Sequence, residues 1–456
     1  MGEARSQWTR ELRGLVKLAV PVVLSELGWM VMGVVDTIMV GRLGPSAIGA
    51  VALASAVYYT PAITGIGLML GLDTLVSQAY GRKDHEECHR WLAQGVYLAI
   101  IATIPIMLGL AVAALWLPRM GIAAEVARPA SGYLLLLNWG TLPLLLYGAS
   151  RRYLQGVGQV RVITVTLVAA NLVNWLLNWV LIYGARWGKL GLPALGVNGS
   201  AISTVFARVT MAAALLGFAW RYERERGHPL FRHWARPQIA RLKRLMRLGA
   251  PAAGQIMLEV GAWNLATFSA SYLTPVALAT HQIVLNYASV TYMVPLGVSA
   301  AAAVSVGHAV GAGDAARARR AGWMALGLGT SFMLLAAVTF LVWPRPLIEL
   351  YTNDARVLAV GPGLLAVVAA FEVFDGIQTV STGALRGLGE TRAPMWANLV
   401  GYWVLGLPLG FFLCFGLRWG IYGLWIGLTL ALVVIALALI ARWKRDAEKQ
   451  IAVLSS

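Results

Sequence analysis

The stretch "MGVVDTIMVG", residues 32–41, closes an apolar run that begins at Leu15 and reads "LVKLAVPVVLSELGWMVMGVVDTIMVG". An α-helix rises about 1.5 Å per residue, so about 20 apolar residues cross a hydrocarbon core that is ~30 Å thick. The run is long enough to span a membrane, yet Asp36 lies within it. A charge at the centre of a bilayer costs roughly 2.5–3.5 kcal/mol even on the lenient insertion scale, so Asp36 is a candidate functional residue.

The composition of the whole chain is that of an integral membrane protein. Of its 456 residues, 59% are hydrophobic and only 12% are charged, whereas soluble domains carry about 25% charged residues. We therefore expect an all-α integral membrane protein with twelve transmembrane helices. The twelve predicted spans are 15–40, 48–78, 92–114, 130–153, 162–184, 196–220, 246–270, 276–308, 321–343, 355–385, 394–416 and 420–441.

The positions of Lys and Arg predict the orientation of these spans. With the N-terminus inside, 28 of the 37 Lys and Arg residues fall in inner segments and eight in outer loops. Cytoplasmic loops of membrane proteins carry such an excess, so both termini are predicted to be cytoplasmic. The net charge of +17 is thus distributed as membrane topology requires, and we expect no nucleic-acid partner.

The two halves of the sequence repeat each other. Pro21 matches Pro251, "LGPSAIGA" (43–50) matches "LTPVALAT" (273–280) and "SQAYGRKD" (77–84) matches "GHAVGAGD" (307–314), all at an offset of 230, while "LQGVGQ" (154–159) matches "LRGLGE" (385–390) at 231. Because six spans separate the copies, both halves enter the membrane from the same side, which makes the repeat parallel. We predict two pseudo-symmetric six-helix lobes with a cleft between them, a geometry that suits alternating access.

The predicted domain boundaries follow from this repeat. The N-lobe is residues 1–220 and holds the first six spans, and the C-lobe is residues 246–456 and holds the last six. Residues 221–245, which are rich in Arg, form the predicted cytoplasmic linker between the lobes.

Apart from Lys and Arg residues near the span ends, which are counted with the adjoining segments, few charged or histidine side chains lie inside the predicted spans, and they are Glu26, Asp36, Asp73, Arg208, Glu259, His281, His308, Glu372 and Asp375. In the opposite half, Asp36 corresponds to Ala266, Glu259 to Trp29 and Asp375 to Leu144. Each of these acids has an uncharged counterpart, so the fold itself does not require them. A buried carboxylate is stabilised by a proton or a bound cation, or by a fixed partner such as Arg208, and the sequence leaves both interpretations open.

Two asparagines extend the hypothesis for Asp36. Asn174 and Asn178 are four residues apart and share one face of a helix. Hard cations take oxygen ligands, so the two amide oxygens are able to complete a sodium site with Asp36. The alternative is that the amides form hydrogen bonds between helices. In the second half, Glu372 and Asp375 are three residues apart and close enough in helical phase to share a site.

One motif points to a different class of protein. "HEECH", residues 85–89, matches the H-E-x-x-H pattern of zinc proteases. It lies in a polar stretch that we assign to a cytoplasmic loop, no third ligand follows at a suitable spacing, and the aligned "GDAARARRAGW" carries no ligand. We therefore interpret it as solvated charge, and we expect neither an enzyme nor a bound metal cofactor.

Several stretches resemble the multidrug and toxic compound extrusion (MATE) family over nearly the whole chain. They are "VVDTIMVGRLG" in the first span, "SQAYGRKD" after the second, "HQIVLNYASVTYMVPLGVSAAAAVSVGHAVGAGD" over the eighth and "STGALRGLGETRAPMWANLVGYWVLGLPLG" over the tenth and eleventh. The resemblance implies the MATE/MOP-type fold of two six-helix lobes. It also implies an antiporter that exports cationic or amphipathic organic compounds in exchange for Na⁺ or H⁺, without a cofactor. A monomer in the bacterial inner membrane is expected, with small organic cations as cargo.

The resemblance also implies a set of site residues. Asp36, Glu259 and Asp375 each match an acid of the NorM-like branch, and Asn174 and Asn178 match its N-lobe asparagine pair. As secondary candidates we name Glu26, Asp73, His281 and Glu372. An alternative within the same superfamily is a flippase or exporter of a lipid-linked or amphipathic metabolite. Such a protein would need a cationic cleft, whereas the candidates here are mostly acidic.

Overall fold

The computed structural model of the chain describes residues 2–187, 190–227 and 236–455. The regular structure of these residues is nearly all helical, with one short antiparallel hairpin formed by Ala185–Trp187 and Leu190–Leu192. The first half contains α1 (Gly2–Gly41), α2 (Pro45–Met69), α3 (Gly71–Gly81), α4 (His85–Trp116), α5 (Ala124–Asn138), α6 (Thr141–Gly156), α7 (Val160–Tyr183) and α8 (Val197–Glu225).

The second half is built in the same way. It contains α9 (Ile239–Ala270), α10 (Pro275–Gly311), α11 (Ala315–Val342), α12 (Pro344–Glu349), α13 (Ala355–Leu388), α14 (Arg392–Asn398), α15 (Leu407–Phe411) and α16 (Ile421–Ser455). Two π-helical segments, Leu399–Gly406 and Phe412–Gly416, flank α15. Together with α14 and α15 they form the continuous span Arg392–Gly416.

The predicted class, an all-α membrane protein, is confirmed. Ten helices of the described chain are long and apolar enough to cross a membrane, and α5 with α6 forms a further pair that is bent by 46°. The 32-residue α9 is not among those ten; counted with them and the bent pair, it brings the number to the predicted twelve. Each predicted span falls on one of these elements.

The repeat is visible in the backbone. The segment Pro45–Gly81, which comprises α2 and α3, has its counterpart in α10, which begins and ends 230 residues later. Both segments start with proline in their first turn, where the missing N–H costs no hydrogen bond. After each segment an aspartate caps the next helix: Asp84 accepts from the Glu87 N–H and Asp314 from the Arg317 N–H.

The "HEECH" stretch lies in a helix, so its assignment to a loop was wrong. These residues form the first turns of α4, which begins at His85, well before the apolar part of the helix. The reason is local, because the carboxylate of Asp84 satisfies the open N-terminus of the helix. His89 Nε2 lies 3.0 Å from Glu223 Oε2, and Tyr153 donates a hydrogen bond to the other oxygen of that carboxylate.

The chain divides into two compact units. Unit 1 comprises Met1–Val23, Ser77–Lys83 and Gly254–Ser456, and unit 2 comprises Leu24–Val76 and Asp84–Ala253. The core of unit 1 includes the fully buried Trp425, Trp443 and Tyr402. The core of unit 2 includes the fully buried Tyr58 and Leu134. The lobe boundaries at 220 and 246 stay a prediction.

Small residues allow very close helix packing within unit 1. A Cβ atom on Gly81 would overlap the backbone oxygen of His308, and a Cβ atom on Gly311 would overlap that of Gln78. His308 and Gly311 are the repeat counterparts of Gln78 and Gly81, so one contact is the symmetry equivalent of the other. Close backbone approach through glycine is the usual way in which membrane helices pack without a hydrophobic driving force.

Candidate functional site

The carboxylate of Asp36 is held inside unit 2 by two neighbouring helices. The Asp36 residue, on α1, is 8% exposed. Asn178 Nδ2, on α7, donates to Asp36 Oδ1 at 2.5 Å. Thr204 Oγ1, on α8, donates to Asp36 Oδ2 at 3.2 Å. The prediction that Asp36 and Asn178 meet therefore agrees with their placement.

Asn174 completes this group, which we call the Asp36 site: Asp36, Asn174, Asn178 and Thr204. Asn174 Oδ1 accepts from Asn178 Nδ2 at 3.2 Å, and both asparagines are fully buried. Asn178 Oδ1 is also buried and accepts no hydrogen bond from any part of the chain that the structure describes. The site thus brings together carboxylate and amide oxygens, which are the donor atoms that a hard monovalent cation takes.

A pocket of about 200 Å³ opens beside Asp36 in unit 2. Its lining is mixed, because apolar side chains stand next to the hydroxyl groups of Thr37, Ser55, Tyr59 and Tyr133. The remaining lining residues are Gly33, Asp36, Val40, Ile48, Val51, Ala52, Leu137 and Thr204. Ligand pockets are typically apolar with a few polar groups placed for orientation, and this pocket has that character.

Sequence reasoning missed Thr204, Tyr59 and Tyr133. Hydroxyl residues are common in membrane helices and usually bond to their own backbone, as Thr204 also does with the Ser200 carbonyl. The available signal was position: Thr204 lies one helical turn before Arg208, which the sequence had already singled out. The sequence left open a direct ion pair between Asp36 and Arg208. The described structure shows no such pair, and Arg208 Nη1 donates to the Tyr58 hydroxyl instead.

A second polar group lies in unit 1, and we call it the Glu259 site: Glu259, Asp375, Gln378 and Asn398. Asn398 Nδ2 lies 3.4 Å from Glu259 Oε2, and Gln378 Nε2 lies 3.4 Å from Asn398 Oδ1. Asp375 is 4% exposed and interacts electrostatically with Glu259 and Glu372. Glu372 is fully buried. The structure therefore places the three predicted acids of this half in one neighbourhood.

Two of the secondary candidates are bound to arginines. Glu26 forms a direct ion pair with Arg151, and Asp73 lies 3.5 Å from Arg152. Both arginines are on α6, and Arg152 also donates to Gln155. These acids lie apart from the Asp36 site, and their charges are balanced by direct partners within the protein.

His281 lies within a packed aromatic cluster of unit 1. It is fully buried, Trp425 Nε1 donates to its Nδ1 at 3.0 Å, and its Nε2 lies 2.9 Å from Thr267 Oγ1. Because Nδ1 accepts, the proton of the neutral ring belongs on Nε2, which then donates to Thr267. Both ring nitrogens are thus satisfied by the fold.

No cluster of three or more His, Cys, Asp or Glu side chains suited to a metal ion occurs among the described residues. Cys88 and Cys414 are both buried, and neither forms a disulfide within the described residues. The chemistry of the sites is therefore that of carboxylates, amides and hydroxyls.

The sequence itself is similar to known transporters. A sequence model of the MatE family matches the chain twice, over residues 21–180 and 251–412, and the two matches begin 230 residues apart. The chain is 36% identical over 445 residues to "Probable multidrug resistance protein NorM" of Mesorhizobium japonicum, which covers 96% of this chain and 94% of that protein. It is 34% identical over 436 residues to "Multidrug resistance protein NorM" of Burkholderia vietnamiensis, covering 94% of this chain and 92% of that one.

Solved structures share the fold. The eukaryotic MATE transporter AtDTX14 superposes with a TM-score of 0.83 at 22% identity, over 98% of this chain and 99% of that one. A MATE structure in the bent conformation gives a TM-score of 0.88 at 18% identity, again over 98% and 99%. The predicted resemblance and fold are thus confirmed, and this chain belongs to the MatE family of membrane transporters.

Proposed function

We propose that the protein is a secondary antiporter that exports cationic or amphipathic organic compounds in exchange for Na⁺ or H⁺ by alternating access. The observation that carries this proposal is the Asp36 site. A carboxylate that is 8% exposed lies beside a pocket of about 200 Å³ within a membrane helix. Such a group is costly when ionised and bare, so it favours states in which a cation or proton is bound.

Coupling follows from this preference. An ion moves a transporter between two states only if its affinity differs between them. The Asp36 carboxylate provides that difference when its access to the two sides of the membrane changes. The relatives named for multidrug resistance support export of drug-like compounds as the accompanying flux.

The Glu259 site is proposed to serve the same coupling in the other unit. Glu259, Asp375 and Glu372 lie near one another, and in the described chain no Lys or Arg forms an ion pair with any of them. A cluster of acids without a basic partner attracts cations or protons. Which of the two sites takes the ion and which the cargo is an outcome of the experiments below.

For topology we propose that both termini face the cytoplasm of a bacterial cell and that the protein lies in the inner membrane as a monomer. The excess of Lys and Arg in the predicted inner segments supports this orientation. Cysteine accessibility at the ends of the chain tests it directly.

The second candidate function is export of a lipid-linked metabolite. A pyrophosphate headgroup would need several accessible cationic side chains, and the pocket beside Asp36 is lined by none. The observations therefore favour cationic cargo.

The proposal is tested with inverted membrane vesicles that contain the protein, to which a fluorescent organic cation such as ethidium is added from outside. An outward sodium gradient is imposed at fixed pH, and then an outward proton gradient without sodium. We expect one of the two gradients to drive ethidium into the vesicles, and Asp36→Asn to abolish this uptake. Glu225→Gln, which removes a carboxylate from an exposed ion pair at the end of α8, is the matched control and is expected to transport normally.

Uptake that ignores both gradients in folded protein would reject antiport and favour the lipid-linked cargo. Uptake that persists in Asp36→Asn, Glu259→Gln and Asp375→Asn would reject the assignment of the sites.

A further inference from the structure

Among the residues of unit 2 that the structure describes, Arg208 lies deeply buried without an ion pair to a carboxylate. Arg208, on α8, is 1% exposed. Its Nη1 donates to the Tyr58 hydroxyl at 2.5 Å, and its guanidinium lies 4.6 Å from the centre of the Tyr58 ring. Its Nε is buried and has no hydrogen-bond partner in the part of the chain that the structure describes. Arginine stays protonated in proteins, so this is a permanent buried positive charge.

The other buried arginines of the same unit are bound differently. Arg151 contacts the Glu26 carboxylate directly, and Arg152 lies 3.5 Å from Asp73. Those two pairs neutralise themselves. Within the described residues Arg208 has no such contact, so its charge must be balanced over a longer distance.

The positive charge of Arg208 acts on the carboxylate of Asp36. Thr204, which donates to the Asp36 carboxylate, lies four residues before Arg208 on α8. Residues four apart on a helix have Cβ atoms about 5–6 Å apart on the same face. Arg208 and Asp36 accordingly interact electrostatically. The two side chains thus interact without a direct ion pair between them in the part of the chain that the structure describes.

The side chain of Arg208 packs against Gly140, which lies in the bend between α5 and α6. At Gly140, in this bend, a Cβ atom would lie 3.1 Å from both Cδ and Nη1 of Arg208. The Tyr58 hydroxyl oxygen in turn lies 3.3 Å from Oγ1 of Thr141, the first residue of α6. Residues from α2 and from the bend between α5 and α6 thus surround the Arg208 side chain and hold it in place.

We propose that Arg208 is the internal counter-cation of Asp36, a positioning residue that balances the carboxylate charge after the coupling ion has left. A direct ion pair, like that of Glu26, would occupy the oxygens that the ion needs. A guanidinium that is not bonded to the carboxylate lowers the cost of the empty, ionised site and does not occupy the oxygens of Asp36, a residue that lines the pocket. This inference rests on the proposed function, because it assigns to Asp36 an ion that is bound and released.

The two sites then differ in a defined way. The Asp36 site has its own positive charge, so it releases its ion readily. Glu259, Glu372 and Asp375 form no ion pair with Lys or Arg over the described ranges, so the Glu259 site must keep a proton or cation to be neutral. We infer that the driving ion is held more weakly at the Asp36 site than at the Glu259 site.

The first test measures thermal unfolding of the purified, detergent-solubilised protein. Arg208→Met is expected to lower the melting temperature by several degrees, because it leaves an unbalanced buried carboxylate. Adding Asp36→Asn is expected to recover most of that loss. Arg208→Met combined with Glu259→Gln is the matched control, and its effects are expected to add. If Arg208→Met does not fold, recovery of folded protein in the double variant gives the same answer.

The second test measures transport in reconstituted vesicles. Removing a nearby positive charge strengthens cation binding at Asp36 by Coulomb attraction. For Arg208→Met we expect the half-saturating concentration of the driving ion to fall about tenfold, together with a lower maximal rate. Arg208→Lys keeps the charge and is expected to restore both values towards those of the wild type.

Additive melting losses for Arg208→Met and Asp36→Asn would overturn the inference, as would equal ion affinity in Arg208→Met and Arg208→Lys. The failure of the proposed function looks different. In that case transport by folded wild-type protein ignores both ion gradients, or Asp36→Asn leaves ion-driven transport intact, whatever the melting temperatures show.

Discussion

Thr204 fixes one oxygen of the Asp36 carboxylate through a hydroxyl group that also bonds its own helix. Thr204→Val keeps the shape of the side chain and removes both hydrogen bonds. We expect a loss of stability of about 1 kcal/mol and weaker binding of the driving ion, seen as a higher half-saturating concentration in transport assays.

Thr210 offers the matched control for that variant. It lies on the same helix and makes the same bond to the carbonyl four residues earlier, but its bond is exposed. Thr210→Val is expected to leave ion dependence unchanged. A similar change in ion dependence for both variants would show that Thr204 acts on the helix and has no specific effect on Asp36.

His281 is expected to stabilise the fold without taking part in ion coupling. His281→Leu would leave the Trp425 and Thr267 partners unsatisfied in a buried place, at a cost of about 1–3 kcal/mol for each such group. Thermal unfolding should show this loss, while transport by the surviving folded protein keeps its dependence on the driving ion. Loss of coupling in well-folded His281→Leu protein would contradict this assignment.

At the residue scale, helical spacing was enough to predict that Asn174 and Asn178 share a face, and the hydrogen bonds that Asn178 donates to Asp36 and to Asn174 agree with it. Spacing within one helix contains no information about the neighbouring helix. The partners of Glu26 and Asp73 were therefore missed: Arg151 and Arg152 had been counted only as inner, topology-determining charges, although both are largely buried on α6.

The close packing of helix ends in unit 1 leads to a prediction for an element. A methyl group on Gly311 would overlap the backbone of α3 at Gln78, so Gly311→Ala forces α3 and α10 apart. We expect a loss of about 1–3 kcal/mol, the range typical of overpacked cores, measured as a lower melting temperature. Gly327→Ala on α11, where no atom lies within 4 Å of the new methyl group, is the control.

The control variant Gly327→Ala is also expected to change stability, but in the opposite direction. Alanine has a higher helix propensity than glycine by about 0.8–1.0 kcal/mol, so Gly327→Ala should be neutral or slightly stabilising. Equal losses for the two variants would mean that Gly311 is needed for local helix flexibility. Its close approach to α3 would then not be the reason.

The starts of α2 and α10 lie within three residues of the predicted span starts, whereas α4 and α11 begin seven and six residues before theirs, because their capped first turns are polar. Prolines start α2 and α10, and aspartates cap α4 and α11. The break at Leu70 between α2 and α3, the 46° bend between α5 and α6, and the two π-helical segments could not be predicted. Breaks and bends of this kind depend on the neighbouring helices. A hydropathy average over about twenty residues does not detect them.

At the scale of the whole molecule, the repeat was the most informative feature of the sequence. The offset of 230, first seen in three short matches, recurs in the paired helix boundaries and in the two matches to the MatE family. We expect the proposed function to depend on the asymmetry between the halves, because Asp36, Glu259 and Asp375 each correspond to an uncharged residue in the other half. Residues that the two halves share form the common fold, and the residues that differ between the halves make the Asp36 site and the Glu259 site unlike each other.

The central claim, that drug export and ion import are two parts of one cycle at Asp36, is tested most directly by counter-flux in vesicles of purified protein. An outward gradient of ethidium is applied, and uptake of radioactive sodium or of protons is followed in the opposite direction. The account predicts that ethidium drives one of these ions against its own gradient and that Asp36→Asn abolishes this movement. Ethidium flux without any opposing ion movement in folded wild-type protein would contradict it.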